Sequence, residues 1–256
     1  MRAQVPSDSS GESCLFAAVI YGGHNDVVHA LVYAGADVNL QSKDGFSPLM
    51  IASQEGHIDI VKYLVHYGAK IESQNDQDAT ALYFAAMKGR VEVVKFLIEH
   101  HADVNACHCS GTSCLLIAVW GGHTNVVHAL VSAGANVNLQ RKDGFTPLMI
   151  ASQEGHIDIV KYLVHSGVKI ESQDDKDATA LYYAAKHGCV EVVKFLIEQH
   201  ADVNACHSSG TSCLLTAVWG GHTDVVRALV SAGADVNLQR KDGVSPLTAA
   251  SREKKT

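Results

Sequence analysis

Between Asp143 and His165, apolar and polar positions spell two short helices and a turn: DGFTPLMIASQEGHIDIVKYLVH. Thr146 is placed to cap the first helix with its hydroxyl, and Pro147 fills the first helical position, where a missing N–H costs nothing. The apolar run ends at Gly155, a residue suited to close a helix. A second helix then sets Ile159, Val160, Leu163 and Val164 on one face and ends near Gly167. Each helix is about two turns long, too short to persist alone in water. Its apolar face has to be covered by copies of the same unit. One such copy runs from Asp44 to His66, with Ser47 in place of Thr146.

Further copies fill the chain. The turn residue before each first helix recurs as Gly11, Gly45, Asp78, Gly111, Gly144, Asp177, Gly210 and Gly243, at a spacing of 33, or 34 between the first two. A fixed period of this size marks a stacked repeat. The turn and cap DGFSPL or DGFTPL, the segment GHIDIVKYLV and the loop AGADVNLQ or AGANVNLQ together resemble the ankyrin repeat over about residues 8–251. The resemblance implies an all-α solenoid of stacked helix-turn-helix units with hairpin-like loops. It implies seven repeats, near 9–41, 42–74, 75–107, 108–140, 141–173, 174–206 and 207–239, with a half repeat at 240–251. It also implies a concave face made by first helices and loop tips, and no catalysis. Residues 1–8, short and polar, read as disordered, and 252–256 as a polar tail.

Composition narrows the classes. The chain of 256 residues is 47% apolar and 18% charged, which suits one folded, elongated repeat domain. A net charge of −7 with no long basic run disfavours nucleic acid. No apolar run spans a membrane, and MRAQVPSDSS has no signal core. Seven cysteines, mostly at repeat-equivalent places such as Cys14, Cys114 and Cys213, read as packing residues in a reducing compartment. A cytoplasmic monomer without cofactor is expected.

A longer period overlies the short one. Repeats two to four resemble repeats five to seven at a spacing of 99. One reading is duplication without functional meaning. The other is a bivalent surface for a repetitive or dimeric partner, with equivalent places roughly 30 Å apart. At the ends, the first repeat has one extra residue between Cys14 and His24, and the eighth has no second helix. Either the polar segment 252–256 serves as a crude cap for that half repeat, or the chain is cut from a longer one, which is the favoured expectation.

In this architecture the partner-facing positions are Phe46 and Phe145 after the turn, and Gln54, Glu55, Met87, Lys88, Trp120, Gln153, Glu154, Lys186, His187 and Trp219 on the first helices. The tryptophans carry most of the information. Each precedes a glycine pair, so the indole stands beside a notch, as an aromatic anchor does. The competing reading folds each indole down into the core; Phe46 and Phe145 have the same alternative. Lys88 and Lys186 are also placed to pair with Glu55 and Glu154.

Departures from the family pattern matter as well. Phe16, Met50, Tyr83, Leu116, Met149, Tyr182 and Leu215 stand where the family has histidine, so apolar packing replaces a hydrogen-bonded brace. Repeats three and six put Asp78, Asp177, His101 and His200 where glycine is expected in a left-handed conformation.

Sites of chemistry come out poorly. His101, Cys107, His108, Cys109 and Cys114 cluster without a strong zinc spacing. The acidic tips at 75–78 and 174–177 lack the glycine and distal glutamate of a calcium loop. His57, His123, His156 and His222 occupy the family's glycine-histidine place, which implies bonds to neighbouring backbone. Cys189 beside His187 lacks an orienting acid. The expectation is therefore a non-catalytic scaffold for a protein or peptide segment. Two alternatives are a targeting module of a larger signalling or enzymatic chain, and a substrate of an asparaginyl hydroxylase. For the latter, Asn105 and Asn204 have the leucine and aspartate spacing the family resemblance implies.

Overall fold

The computed structural model describes residues 14–20 and 24–253. The expected segment 1–8, the marker Gly11 and the end of the polar tail lie outside them. So does 21–23, within the stretch where the first repeat has its extra residue. Among the described residues the chain is all-helical, without strands. The first helices of the repeats are α1 (Cys14–Ile20), α3 (Pro48–Glu55), α5 (Ala81–Met87), α7 (Cys114–Trp120), α9 (Pro147–Gln153), α11 (Ala180–Lys186), α13 (Cys213–Trp219) and α15 (Pro246–Glu253). The second helices are α2 (Asn25–Tyr33), α4 (Ile58–His66), α6 (Val91–Glu99), α8 (Thr124–Ser132), α10 (Ile157–His165), α12 (Val190–Glu198) and α14 (Thr223–Ser231).

The chain divides into two compact units, one up to Asn136 and one from Val137. Each holds one copy of the triplet, α3 to α8 in the first and α9 to α14 in the second. Within each unit, first helices pack on first helices, second helices on second helices, and each pair on itself.

The local chemistry repeats with the period. The hydroxyls of Ser47, Thr80, Ser113, Thr146, Thr179 and Ser212 each accept the N–H three residues on, at 3.2–3.3 Å. Each such cap contributes about 1 kcal/mol. Met50 and Met149, in the family's histidine place, turn their thioether back onto the N–H of Ser47 and Thr146, at 3.4 and 3.5 Å. At these two places the brace is thus weakened rather than lost, while Leu116 and Leu215 replace it by buried apolar packing. Second helices bury a short apolar face: Ile159, Val160 and Leu163 are at most 1% exposed, while Val164 is only half-buried. Three such side chains at about 1.5–3 kcal/mol each offset what a nine-residue helix lacks by itself.

The edge of the stack shows the same dependence from the other side. Leu49, Leu82, Leu115, Leu148, Leu181 and Leu214 are no more than 2% exposed, but Leu247, their equivalent on α15, is 63% exposed. No second helix lies beside α15 among the described residues. Ser53 and Ser152 are a different kind of cost: buried hydroxyls without a hydrogen-bond partner, at the same place in each triplet.

The loops keep the family backbone even where the glycine is gone. Asp78, His101, Asp177 and His200 all have positive φ, between 61° and 65°. A side chain in that region costs roughly 1–2 kcal/mol. We expect His101→Gly and His200→Gly each to raise stability by about 1 kcal/mol in urea titrations. Repeats three and six should also exchange their amide hydrogens faster than repeats two and five. Uniform protection, or destabilisation by the glycines, would count against this account.

Candidate functional site

Among the described residues seven hairpins stand beside the first helices, each closed by a backbone bond such as Ser42 N–H to Phe46 carbonyl at 2.8 Å and Arg141 N–H to Phe145 carbonyl at 2.9 Å. Neighbouring tips are tied to one another. In the first unit Asp76 N–H donates to the Asp44 carbonyl and Cys109 N–H to that of Gln77. In the second, Asp175 N–H donates to Asp143 and Ser208 N–H to Lys176. The tips are joined in this way within each unit, and at Trp219 the end of a first helix lies against the tip residue Arg240.

Latches between repeats hold the helix ends in that face. His123 Nε2 meets the Met87 carbonyl at 3.1 Å, and His222 Nε2 the Lys186 carbonyl at 3.0 Å. The bonds to neighbouring backbone expected of four histidines are present at these two; among the described residues His57 and His156 show none. Where the histidine is replaced, the latch survives in altered form. Arg90 Nε donates to the Gln54 carbonyl at 3.0 Å, and the Cys189 thiol points at the Gln153 carbonyl at 3.6 Å. Burial and the Glu154 charge push the Cys189 thiol up, the opposite of what a reactive thiolate needs.

The notch beside each tryptophan has a cause in this latch. A Cβ on Gly121 would lie 2.5 Å from His123 Nε2, and one on Gly220 2.4 Å from His222 Nε2. A side chain there would displace the ring from its latch; Glu55 and Glu154 hold the equivalent place before His57 and His156, which make no such bond among the described residues. Trp120 and Trp219, one residue earlier, are 58% and 43% exposed. The core alternative for the indoles does not occur. Over Trp219 lies the guanidinium of Arg240, 5.4 Å from the ring centre and ion-paired with Asp242 at 2.6 Å.

Phe46 and Phe145 are half-buried and serve the stack as well as the surface. Phe46 lies against Phe84 with ring centres 5.1 Å apart, and Phe145 against Tyr183 at 4.9 Å. Arg141 also lies over the Phe145 ring while holding Asp143 in an ion pair. That pair keeps the Asp143 carboxyl below its ordinary range. Glu55 and Glu154 accept from the amides of Gln54 and Gln153, at 3.0 and 2.8 Å, rather than from Lys88 or Lys186. Glu55, Glu154, Lys88, Lys186 and His187 are exposed; Gln54, Gln153 and Met87 are half-buried. Burial, then Lys186, holds His187 below the usual imidazole value, so it is neutral at neutral pH. Sequence reasoning missed Arg141 and Arg240. Their only signal is LQRKDG at both places, where the first unit has LQSKDG.

The remaining candidates have structural work. Asn105 and Asn204 are exposed, and their carboxamide oxygens accept the N–H of Asn136 and Asp235, both at 2.8 Å. The leucines spaced before them, Leu97 and Leu196, are fully buried. Among the described residues no three His, Cys, Asp or Glu side chains converge to hold a metal. His108 stacks on Tyr83 and bonds Ser110, and Cys114 is buried with its thiol pushed up by that burial. Asn75 and Asp174 are buried and cap their own turns, each through Oδ1 to two N–H groups. Asp174 also accepts the Tyr183 hydroxyl, whose phenol burial and this carboxylate hold above its ordinary value. The first unit has Asn75 with Phe84 at these places, so the acid and its phenol donor change together.

Comparison with known proteins brings the same repeat to light. A family model described as ankyrin repeats (3 copies) matches residues 3–75, 70–141, 101–174 and 167–240. The crystal structure of the human ASB11 ankyrin repeat domain is similar, with a TM-score of 0.75 and 27% identity, covering 80% of this chain and 92% of that one. No curated protein matches.

Two outcomes test the geometry of this face. Cys189→Arg should stabilise the second unit by about 1 kcal/mol, because Arg90 shows that an arginine fits and donates there. An unchanged urea midpoint would show the latch to be idle. Tyr183→Phe should cost about 1.5–3 kcal/mol by leaving the buried Asp174 without its donor, and adding Asp174→Asn should recover most of it. Simple additivity of the two changes would rule out the coupling.

Proposed function

The chain belongs to the ankyrin repeat family, whose repeats are generally protein-interaction modules, and from that premise we propose that it is a non-catalytic scaffold for a protein or peptide segment. The segment lies on the face of first-helix ends and hairpin tips. The observation that carries this reading is the exposure of Trp120 and Trp219 at matching places in the two units. A large indole open to water costs free energy that a partner's apolar side chain recovers, and tryptophan is the residue most enriched among binding hot spots. The absent side chain at Gly121 and Gly220 leaves room next to each ring. Phe46 and Phe145, two repeats before each indole, add half-buried apolar edges along the face. Gln54, Glu55, Met87, Lys88, Gln153, Glu154 and Lys186 on the first helices set the register of what binds.

Nothing in the face favours chemistry over binding. The thiols of Cys114, Cys189 and Cys213 are pushed up, not activated. Among the described residues no helix is long and apolar enough to cross a membrane. The ankyrin fold is typically a scaffold without catalysis, which agrees with this reading.

The test is affinity purification with the wild type against Trp120→Ala, Trp219→Ala. Partners held by the native face should be lost by the double variant, at about 2 kcal/mol or more per anchor, with the thermal midpoint within a degree or so of wild type. Retention of every partner by a folded double variant would move the site elsewhere.

A further inference from the structure

Two hairpins of the second unit carry the same arginine and rest it on different rings. Before α9, Arg141 and Phe145 face one another across the turn, where the Arg141 N–H donates to the Phe145 carbonyl. Before α15, Arg240 and Val244 are joined in the same way, also at 2.9 Å. Each arginine is held by the aspartate two residues on, Asp143 or Asp242. The hydrogen bond from Arg240 keeps the Asp242 carboxyl below its ordinary range, as that from Arg141 does for Asp143. The guanidinium of Arg141 lies over its cross-turn neighbour, 4.9 Å from the centre of the Phe145 ring. Val244 offers Arg240 no ring, and that guanidinium lies over Trp219 instead, 5.4 Å from the ring centre. A cation is drawn to an aromatic face within about 6 Å, so the nearest ring available settles where the arginine rests.

We propose that Arg240 is a movable cover on Trp219, and that Val244 sets it there by withholding the ring that occupies Arg141. This rests on the scaffold reading above and sharpens it, because the anchor of the second unit is then a gated one. A segment that brings an apolar side chain to Trp219 first has to lift the guanidinium off the indole. Asp242 keeps its hold on the arginine meanwhile, and the Arg240 side chain is already 33% exposed, so the gate opens without stranding a charge. The contact given up is an exposed cation–π pair, which weakens binding about threefold. A large apolar side chain that covers the ring offsets this loss, and a small one such as alanine does not. Arg240 and Val244 thereby select for segments whose anchoring residue is bulky, such as leucine or phenylalanine.

The chain has two tryptophans, so Trp120→Phe in the full chain leaves Trp219 as its one indole. Acrylamide quenching of that emission reads the cover with no partner present. Arg240→Gln and, separately, Val244→Phe should each raise the quenching constant by about a third, the margin by which Trp120 is the more exposed, 58% against 43%. The phenylalanine is already accommodated after the same turn at Phe145, and an unchanged thermal midpoint checks the fold of both variants. Val244→Phe acts by drawing the arginine away, so on top of Arg240→Gln it should change nothing further. No rise with either variant, or a full second rise in the combination, would overturn the cover. A binding arm then uses random displayed peptides selected on the Trp120→Phe chain. Those lost with Trp219→Ala should bind Arg240→Gln about threefold more tightly, and equal affinity would overturn the gate. Peptides all indifferent to Trp219, in a chain whose quenching behaves as expected, would overturn the scaffold reading at this face and the gating with it, and leave the cover itself standing.

Discussion

Every helix in this protein depends on an interior it does not own. Seven to nine residues cannot hold a helix in water, and each repeat buries its leucine and valine faces only because the next repeat is there. The exposed Leu247 on α15 measures that dependence directly, since the same residue is sealed wherever a full pair covers it. Non-directional burial alone would leave neighbouring pairs free to slide. Side chains reaching back 36 residues to a helix-end carbonyl supply the direction: His123, His222, Arg90 and, weakly, Cys189. Tip-to-tip backbone bonds and the carboxamides of Asn105 and Asn204 do the same at the other levels of the stack.

These restraints explain why substitutions between the two triplets travel in pairs. Asp174 is buried, so its second carboxylate oxygen needs a donor, and Tyr183 provides one where the first unit manages with Asn75 and Phe84. Ile117 becomes Thr216 beside Tyr182, giving that phenol a hydrogen-bond partner. The unpaired hydroxyls of Ser53 and Ser152 were copied without repair, a sign that one such cost per unit is affordable in a stack with many shared contacts.

Much of this was legible in the sequence, because a repeat writes its rules along the chain. The period, the hydroxyl caps before each first helix and the buried positions of the second helices follow from spacing, and the left-handed places held by Asp78, Asp177, His101 and His200 from the family resemblance. What was not legible depends on partners distant in the chain. Cys189 was weighed only as a candidate thiol, and neither it nor Arg90 was read as a latch, because the carbonyls they reach carry no mark in the sequence. The dual role of Phe46 and Phe145 depends on rings at Phe84 and Tyr183 in the following repeat. Arg240 over Trp219 escaped notice because a cation beside a carboxylate reads as an ordinary surface pair. The glycine pairs were taken as a setting for the indoles, whereas the structure shows them making room for an imidazole.

That last correction has a consequence for how this surface can change over time. The ring of His123 lies against bare backbone at Gly121, and that of His222 against Gly220. A side chain filling the hollow next to either indole would displace the imidazole and loosen the latch at that repeat junction. The accessible aromatic edge is therefore protected by selection for a sound fold, even during periods when no ligand is being selected for. A surface preserved in that way is available for recruitment by new ligands, with the surrounding charges left free to be rewritten.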